Sequence, residues 1–213
     1  QPRPSRSLAR LTPPFSIMST TRVPSEESQL AILKSDASLH DKALACQRLV
    51  YVAGPKSVPA LAALLDDDVL SDYARSGLEA IEDAAASQAL IDALPKLTGR
   101  LLAGVVNSLG VRREKTAVAT LQKLAADTAS GVQAEALASL GLIATPAASD
   151  TLREVMSKGA DDLKTAAGHA SLVAIEHLRR DGDSGTASEL LKSLTAAFPE
   201  GPIHDASKAL TNS

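Results

Sequence analysis

A chain of 213 residues with 45% hydrophobic but only 2% aromatic side chains is long enough to bury a core without cross-links. Its apolar content is mostly Ala, Leu, Val and Ile, which disfavours β-sandwiches and barrels and favours helices. The one cysteine, Cys46, excludes an intrachain disulfide or a multi-cysteine zinc site, and the net charge of -3 gives no reason to expect nucleic acid.

Taken in chain order, residues 1–27 read as a disordered N-terminal segment. Proline at positions 2, 4, 13, 14 and 24 blocks a continuous helix, and no apolar run is long enough for a signal-peptide core or a membrane span. Arg3, Arg6, Arg10 and Arg22 precede the first acidic residue, Glu26. An organellar transit peptide, translation upstream of Met18 and the stub of a longer chain all fit this composition. Residues 26–213 then hold 18 basic and 25 acidic residues, a charge of -7.

The remainder repeats. RLVYVAGPKSVPALAAL from Arg48, GLEAIEDAAASQALIDAL from Gly77, SLGVRREKTAVATLQKL from Ser108 and SLGLIATPAASDTLREV from Ser139 align, with a weaker copy, HLRRDGDSGTASELLKSL, from His177. Leu49, Leu78, Leu109, Leu140 and Leu178 are each followed twelve residues later by a leucine, at 61, 90, 121, 152 and 190. Four residues before each stands a small or β-branched residue, Ala45, Ala74, Val105, Ala136 and Ala174, and Ala206 with Leu210 gives the pattern once more. Residues four apart share a helical face, so each pair marks one buried stripe, and the later leucine opens a second helix's stripe. Turn formers separate them, at Gly54-Pro55, Glu82-Asp83, Arg112 to Lys115, Thr145-Pro146 and Gly182 to Gly185.

The spacing predicts helix pairs at 28–35 with 39–52, 57–66 with 70–82, 86–97 with 99–111, 116–126 with 130–143, 147–158 with 162–180, and 186–198 with 203–211. Ser57, Ser87 and Ser149 are the expected caps of first helices, Ser71 and Asp161 of second ones. A single pair of short helices cannot bury both stripes, so pairs must stack. The expected fold is all-α: an α-solenoid (α-α superhelix) of about six antiparallel helix pairs over residues 28–213. The step from Leu140 to Leu178, 38 residues, exceeds its neighbours by seven, which calls for a longer helix near Arg180 or a longer loop at Gly159 to Asp162. A tolerated insertion is the preferred reading, a local contact point the other.

VQAEALASLGLIATPAASDTLREV, with ALAALLDDD and NSLGVRRE in sister copies, resembles the short HEAT-like repeats named after phycobilisome lyases. Gly110 and Gly141 keep that family's Leu-Gly step, while Val50, Glu79 and Arg179 replace it elsewhere. The resemblance implies a protein-binding surface. It specifies architecture and leaves activity open, since the family includes chromophore lyases as well as scaffolds.

The chemistry of enzymes on related repeats is missing. Iron-binding HEAT hydroxylases use His-Glu dipeptides, and this chain has none: its histidines stand as His40-Asp41, His169, Glu176-His177 and His204-Asp205, read as exposed or cap-adjacent. HEAT-like glycosylases use a basic, aromatic groove. The row two residues before the anchor leucines is Gln47, Ser76, Asn107, Ala138 and Glu176, and the row one before is Arg48, Gly77, Ser108, Ser139 and His177; neither is a basic stripe. There is no nucleophile elbow, phosphate loop or haem-attachment motif, and Cys46 reads as a core filler. Gripping a flat tetrapyrrole would call for more aromatic side chains than Tyr51, Tyr73, Phe15 and Phe198, two of which lie outside the central repeats.

Two functional readings stand. In the first, the chain is a non-catalytic protein-protein interaction scaffold or regulatory module, with no cofactor, no metal, another protein as partner, no nucleic acid and no membrane insertion. In the second, it is a bilin-lyase-like or other enzyme-accessory protein that holds a substrate protein. A partner would meet the face lined by second helices or the loop rim, where Gly77, Ser76, Ser108, Asn107 and Ser139 leave a shallow groove. Arg75, Arg100, Asn107, Arg112 and Arg113 are the candidate contact residues.

Overall fold

The computed structural model describes residues 24–211, and these form twelve α-helices and no strand. They are α1 (Glu26–Leu33), α2 (Leu39–Val52), α3 (Val58–Ala62), α4 (Ser71–Ala80), α5 (Ala84–Ala93), α6 (Gly99–Val111), α7 (Val118–Ala126), α8 (Gln133–Ile143), α9 (Pro146–Lys158), α10 (Asp161–Arg180), α11 (Ser184–Ala197) and α12 (Pro202–Thr211). Each odd-numbered helix pairs with the next, giving the expected α-solenoid of six pairs. Most of the expected disordered segment, residues 1–23, lies outside the described residues. α1 starts two residues before the expected boundary because Ser25 and Ser28 form a reciprocal capping box.

The leucine ladder is the seam. Leu49, Leu78, Leu109 and Leu140, their partners twelve residues on, and the residues four before them are fully buried, and Leu178 is 1% exposed. Second helices meet successive second helices more extensively than first helices meet first ones, so α2 to α10 form the compressed side of the array. Small residues allow this approach. A Cβ on Gly141 would stand 2.5 Å from the Ala170 carbonyl oxygen, and one on Gly110 2.8 Å from Ser139 Oγ. Cys46 lies in the same seam, and burial pushes its thiol pKa up to about 11, which suits a core filler.

Several local expectations are corrected. Ser57 does stand at the N-cap of α3, though its side chain makes no cap bond, whereas Ser87 and Ser149 are buried inside α5 and α9. The caps of those two helices are Asp83, which accepts from Ala85 N, and Thr145, which accepts from Ala148 N with Pro146 opening the helix. Ser71 and Asp161 lie inside their helices, whose N-caps Leu70 and Ala160 make no side-chain bond. α3 ends at Ala62, short of the expected 66. Asp66, Asp67 and Asp68 sit where a helix C-terminus disfavours negative charge, and Asp67 Oδ1 instead accepts from the amides of Val69 and Leu70 at 2.8 Å. In α12 the buried residues are Ile203 and Ser207, whereas Ala206 is exposed, so the ladder loses register in the last pair.

The 38-residue step is resolved in favour of the longer helix, since α10 runs for 20 residues. Its Gly168 packs under Phe198 and Ile203, with Phe198 Cε2 2.7 Å from where a Cβ would stand. This stretch of α10 thus meets the terminal pair within the chain.

Leu109→Ala should lower unfolding free energy by about 2–5 kcal/mol in urea titration, as lost transfer energy plus a cavity. Gly141→Ala should cost about 1–3 kcal/mol despite alanine's higher helix propensity, because the clash is with backbone.

Candidate functional site

Of the face offered by the second helices, the row two before each anchor is exposed throughout: Gln47, Ser76, Asn107, Ala138 and Glu176. The neighbouring row, expected to line a groove, does not. Gly77, Ser108 and Ser139 are buried between helices. Ser139 Oγ donates to Val106 O at 2.9 Å, tying α8 to α6, and Ser108 Oγ donates to Glu79 Oε1 at 2.6 Å, tying α6 to α4. Their register already carries the signal, for they occupy the position of Gly77, where only a small side chain fits beneath Leu61.

The exposed apolar residues are unevenly placed. Leu39 and Tyr51 lie on α2, Val111 on α6 and Val173 on α10, so four of the five stand on second helices, and Val69 lies in the loop from α3 to α4. Tyr51 is 87% exposed and Val111 58%.

Four of the five candidate contact residues are engaged within the chain. Arg75 donates to Gly104 O and Ser108 Oγ, both at 3.1 Å, and pairs with Asp72 at 2.7 Å. Arg100 reaches back to Asp68 O at 2.7 Å and to the Asp72 carboxylate. Arg112 closes the C-terminal end of α4 from the following repeat, donating to the carbonyls of Leu78 (2.7 Å), Glu79, Ile81 and Asp83 and to Ser87 Oγ at 3.0 Å. Leu78 and Glu79 lie in the last turn of α4, where a helix leaves its carbonyls short of intrahelical donors. Arg113 donates to Leu142 O at 3.0 Å and pairs with Asp181 across 68 residues of sequence. Asn107 alone is exposed with a side chain that makes no hydrogen bond among the described residues.

The backbone explains Arg113's reach. It follows α6 in the left-handed region at φ 51, while Glu114 N donates to Leu109 O and Arg113 N to Gly110 O, a Schellman closure. Gly182 takes the same place after α10 and Ala144 after α8, so a left-handed residue stands four after three of the anchors. Beside this junction His177 Nδ1 is buried without a partner among the described residues. Burial first, then the guanidinium groups of Arg113 and Arg180, hold His177 below the usual histidine range, opposed by Asp181 and Glu176. The Arg113 hydrogen bond in turn holds Asp181 below the usual carboxylate range.

Among the described residues, no group of three or more His, Cys, Asp or Glu side chains is placed to hold a metal ion, and no helix is long and apolar enough to cross a membrane. The clefts are open grooves between neighbouring helices. One, of about 520 Å3, lies between α2 and α4 and is lined by Leu44, Gln47, Tyr51, Tyr73 and Ser76 among others. Others lie between first helices, as at Ala62, Ala89 and Lys96, or Ile91 and Leu124.

Stacked helix pairs with a buried leucine-and-small-residue seam agree with the family comparison, in which HEAT repeats match residues 87–171, from within α5 to the middle of α10. The central helix pairs of the chain are HEAT-like repeats. The match is to HEAT repeats in general and does not single out the phycobilisome-lyase type. No curated protein matches the chain.

In this HEAT array, Arg112→Ala should cost about 2–3 kcal/mol in urea denaturation, since part-buried carbonyls lose their donors, and Arg112→Lys should recover less than half, lacking the planar fork. His177 also makes stability depend on pH. It has a depressed folded-state pKa, so the unfolded chain binds the proton first. Its contribution is fully present above the unfolded value of about 6.5 and is lost as pH falls through the folded value. Thermal midpoints taken between pH 7.5 and 5.5 should therefore fall more steeply for the native chain than for His177→Gln.

Proposed function

We propose that this HEAT-like array is a non-catalytic interaction module that engages another protein through its second-helix side. The observation that carries this reading is that four of the five large exposed apolar side chains, Leu39, Tyr51, Val111 and Val173, stand on second helices and none on a first helix. Apolar residues gathered on one face are a feature of surfaces that become covered. The charge of -7 over residues 26–213 and the absence of a basic row favour protein over nucleic acid as the partner. Clefts that are open grooves between helices favour docking over enclosure of a small substrate.

Within the candidate set, Asn107 and the half-exposed Arg100 are the residues to meet the partner directly. Arg75, Arg112 and Arg113 shape the face by holding its helices. Reversing the charge of Arg112 or Arg113 would loosen the array, so a binding defect in those variants reports on folding as well as contact.

The test is co-purification of the full chain from its own cells. Tyr51→Asp and Val111→Asp should each weaken retention of a co-purifying protein by about tenfold or more, equivalent to about 1.4 kcal/mol, while Lys96→Glu on the first-helix side leaves it unchanged. Equal retention by all three variants, or loss only with Lys96→Glu, would refute the reading.

A further inference from the structure

The cleft between α2 and α4 combines features that the first-helix grooves lack. Both tyrosines of the chain, Tyr51 and Tyr73, line it, with Leu44 on its apolar wall. Gln47, Ser76 and Arg48 supply its polar edge, and no carboxylate lines it among the described residues. Arg75, Arg100, Arg112 and Arg113 are bonded to neighbouring helices, but the Arg48 side chain is exposed and makes neither ion pair nor hydrogen bond among the described residues. The Gln47 side-chain amide and the Tyr51 hydroxyl likewise make no hydrogen bond there. The cleft thus has aromatic walls, donors not engaged within the chain and one positive charge without an ion pair.

Resting on the interaction reading above, we infer that this cleft takes an extended, proline-containing segment of a partner protein with a carboxylate beside the proline. A helix would bring few free main-chain acceptors, because its carbonyls are internally bonded. A proline-rich extended strand leaves its carbonyls open to Gln47, Tyr51 and Arg48, and its pyrrolidine rings pack flat on tyrosine. The carboxylate answers Arg48, whose guanidinium can grip it through paired N–H groups. A volume of about 520 Å3 admits a few residues of such a strand, so the segment is short and its specificity lies in the proline and the acid.

The experiment is selection of a random phage-displayed peptide library on the immobilised full chain, with affinities of enriched peptides measured by fluorescence polarisation. Enriched sequences should pair proline with aspartate or glutamate. Arg48→Glu and Tyr51→Ser should each weaken them by about tenfold or more, and exchanging the peptide's acid for lysine should restore binding to Arg48→Glu. Enrichment of basic sequences, the absence of enrichment, or binding indifferent to both variants would overturn the inference. Peptides lost with Val111→Asp but not with Tyr51→Ser would sink this cleft while leaving the interaction reading intact. Peptides lost only with Lys96→Glu would sink both.

Discussion

The close approach of successive second helices is the constraint on which the rest of the molecule depends. Each leucine of the ladder is excluded from water by its own pair and by the next, and burying one such side chain is worth about 1.5–3 kcal/mol. That gain requires the helices to come close, which is why Gly110, Gly141, Ser108 and Ser139 stand where larger residues would force them apart. A buried hydroxyl on a tight seam must find an acceptor. Ser139 finds the Val106 carbonyl and Ser108 the Glu79 carboxylate, so the small residues that permit the approach also bond across it.

Polar ties follow from the same geometry. When a helix ends against its neighbour, its last carbonyls are partly shielded from water, and a donor from the next repeat is the available partner. Arg112 performs that task for α4, and Glu26 does the converse near the start, its carboxylate accepting from Gly54 N and Ser57 Oγ at 2.8 Å. The Gly54 amide is the leading cause holding Glu26 below the usual carboxylate range. Arg113 shows how one repeat can reach beyond the next. A left-handed backbone costs a non-glycine residue about 1 kcal/mol, and here it turns the guanidinium toward Leu142 O and Asp181.

Legibility in the sequence follows the range of each interaction. The leucine ladder and the pairing of helices are readable because 3.6-residue periodicity writes burial into the chain locally. The seam serines are in plain view but easily misplaced, since one position on a helix, about 100°, separates the exposed Asn107 from the buried Ser108. Caps are obscured for a related reason: Ser87 has a capping side chain, but its hydroxyl lies under Arg112 from the next repeat. Arg112 and Arg113 stand out in the sequence, yet their partners lie 25 to 68 residues away, a separation that no local pattern encodes.

Stacking also decides how an array of this kind acquires a binding surface at all. A repeat must satisfy the seam on both flanks, so the residues facing its neighbours answer to stacking, and Arg75, Arg112, Ser108 and Ser139 are committed to it. Positions that face outward from the second helices answer to nothing inside the chain. An apolar side chain there lowers solubility without strengthening the fold, so Tyr51, Val111 and Val173 have no account in the array's own stability. The same holds for Arg48, whose charge is matched by no neighbour among the described residues, whereas Arg75 and Arg100 on the two following second helices are both bonded. What stacking does not explain is thereby concentrated on one side of the molecule, and it is that remainder, rather than the repeat itself, that separates this array from another of the same architecture.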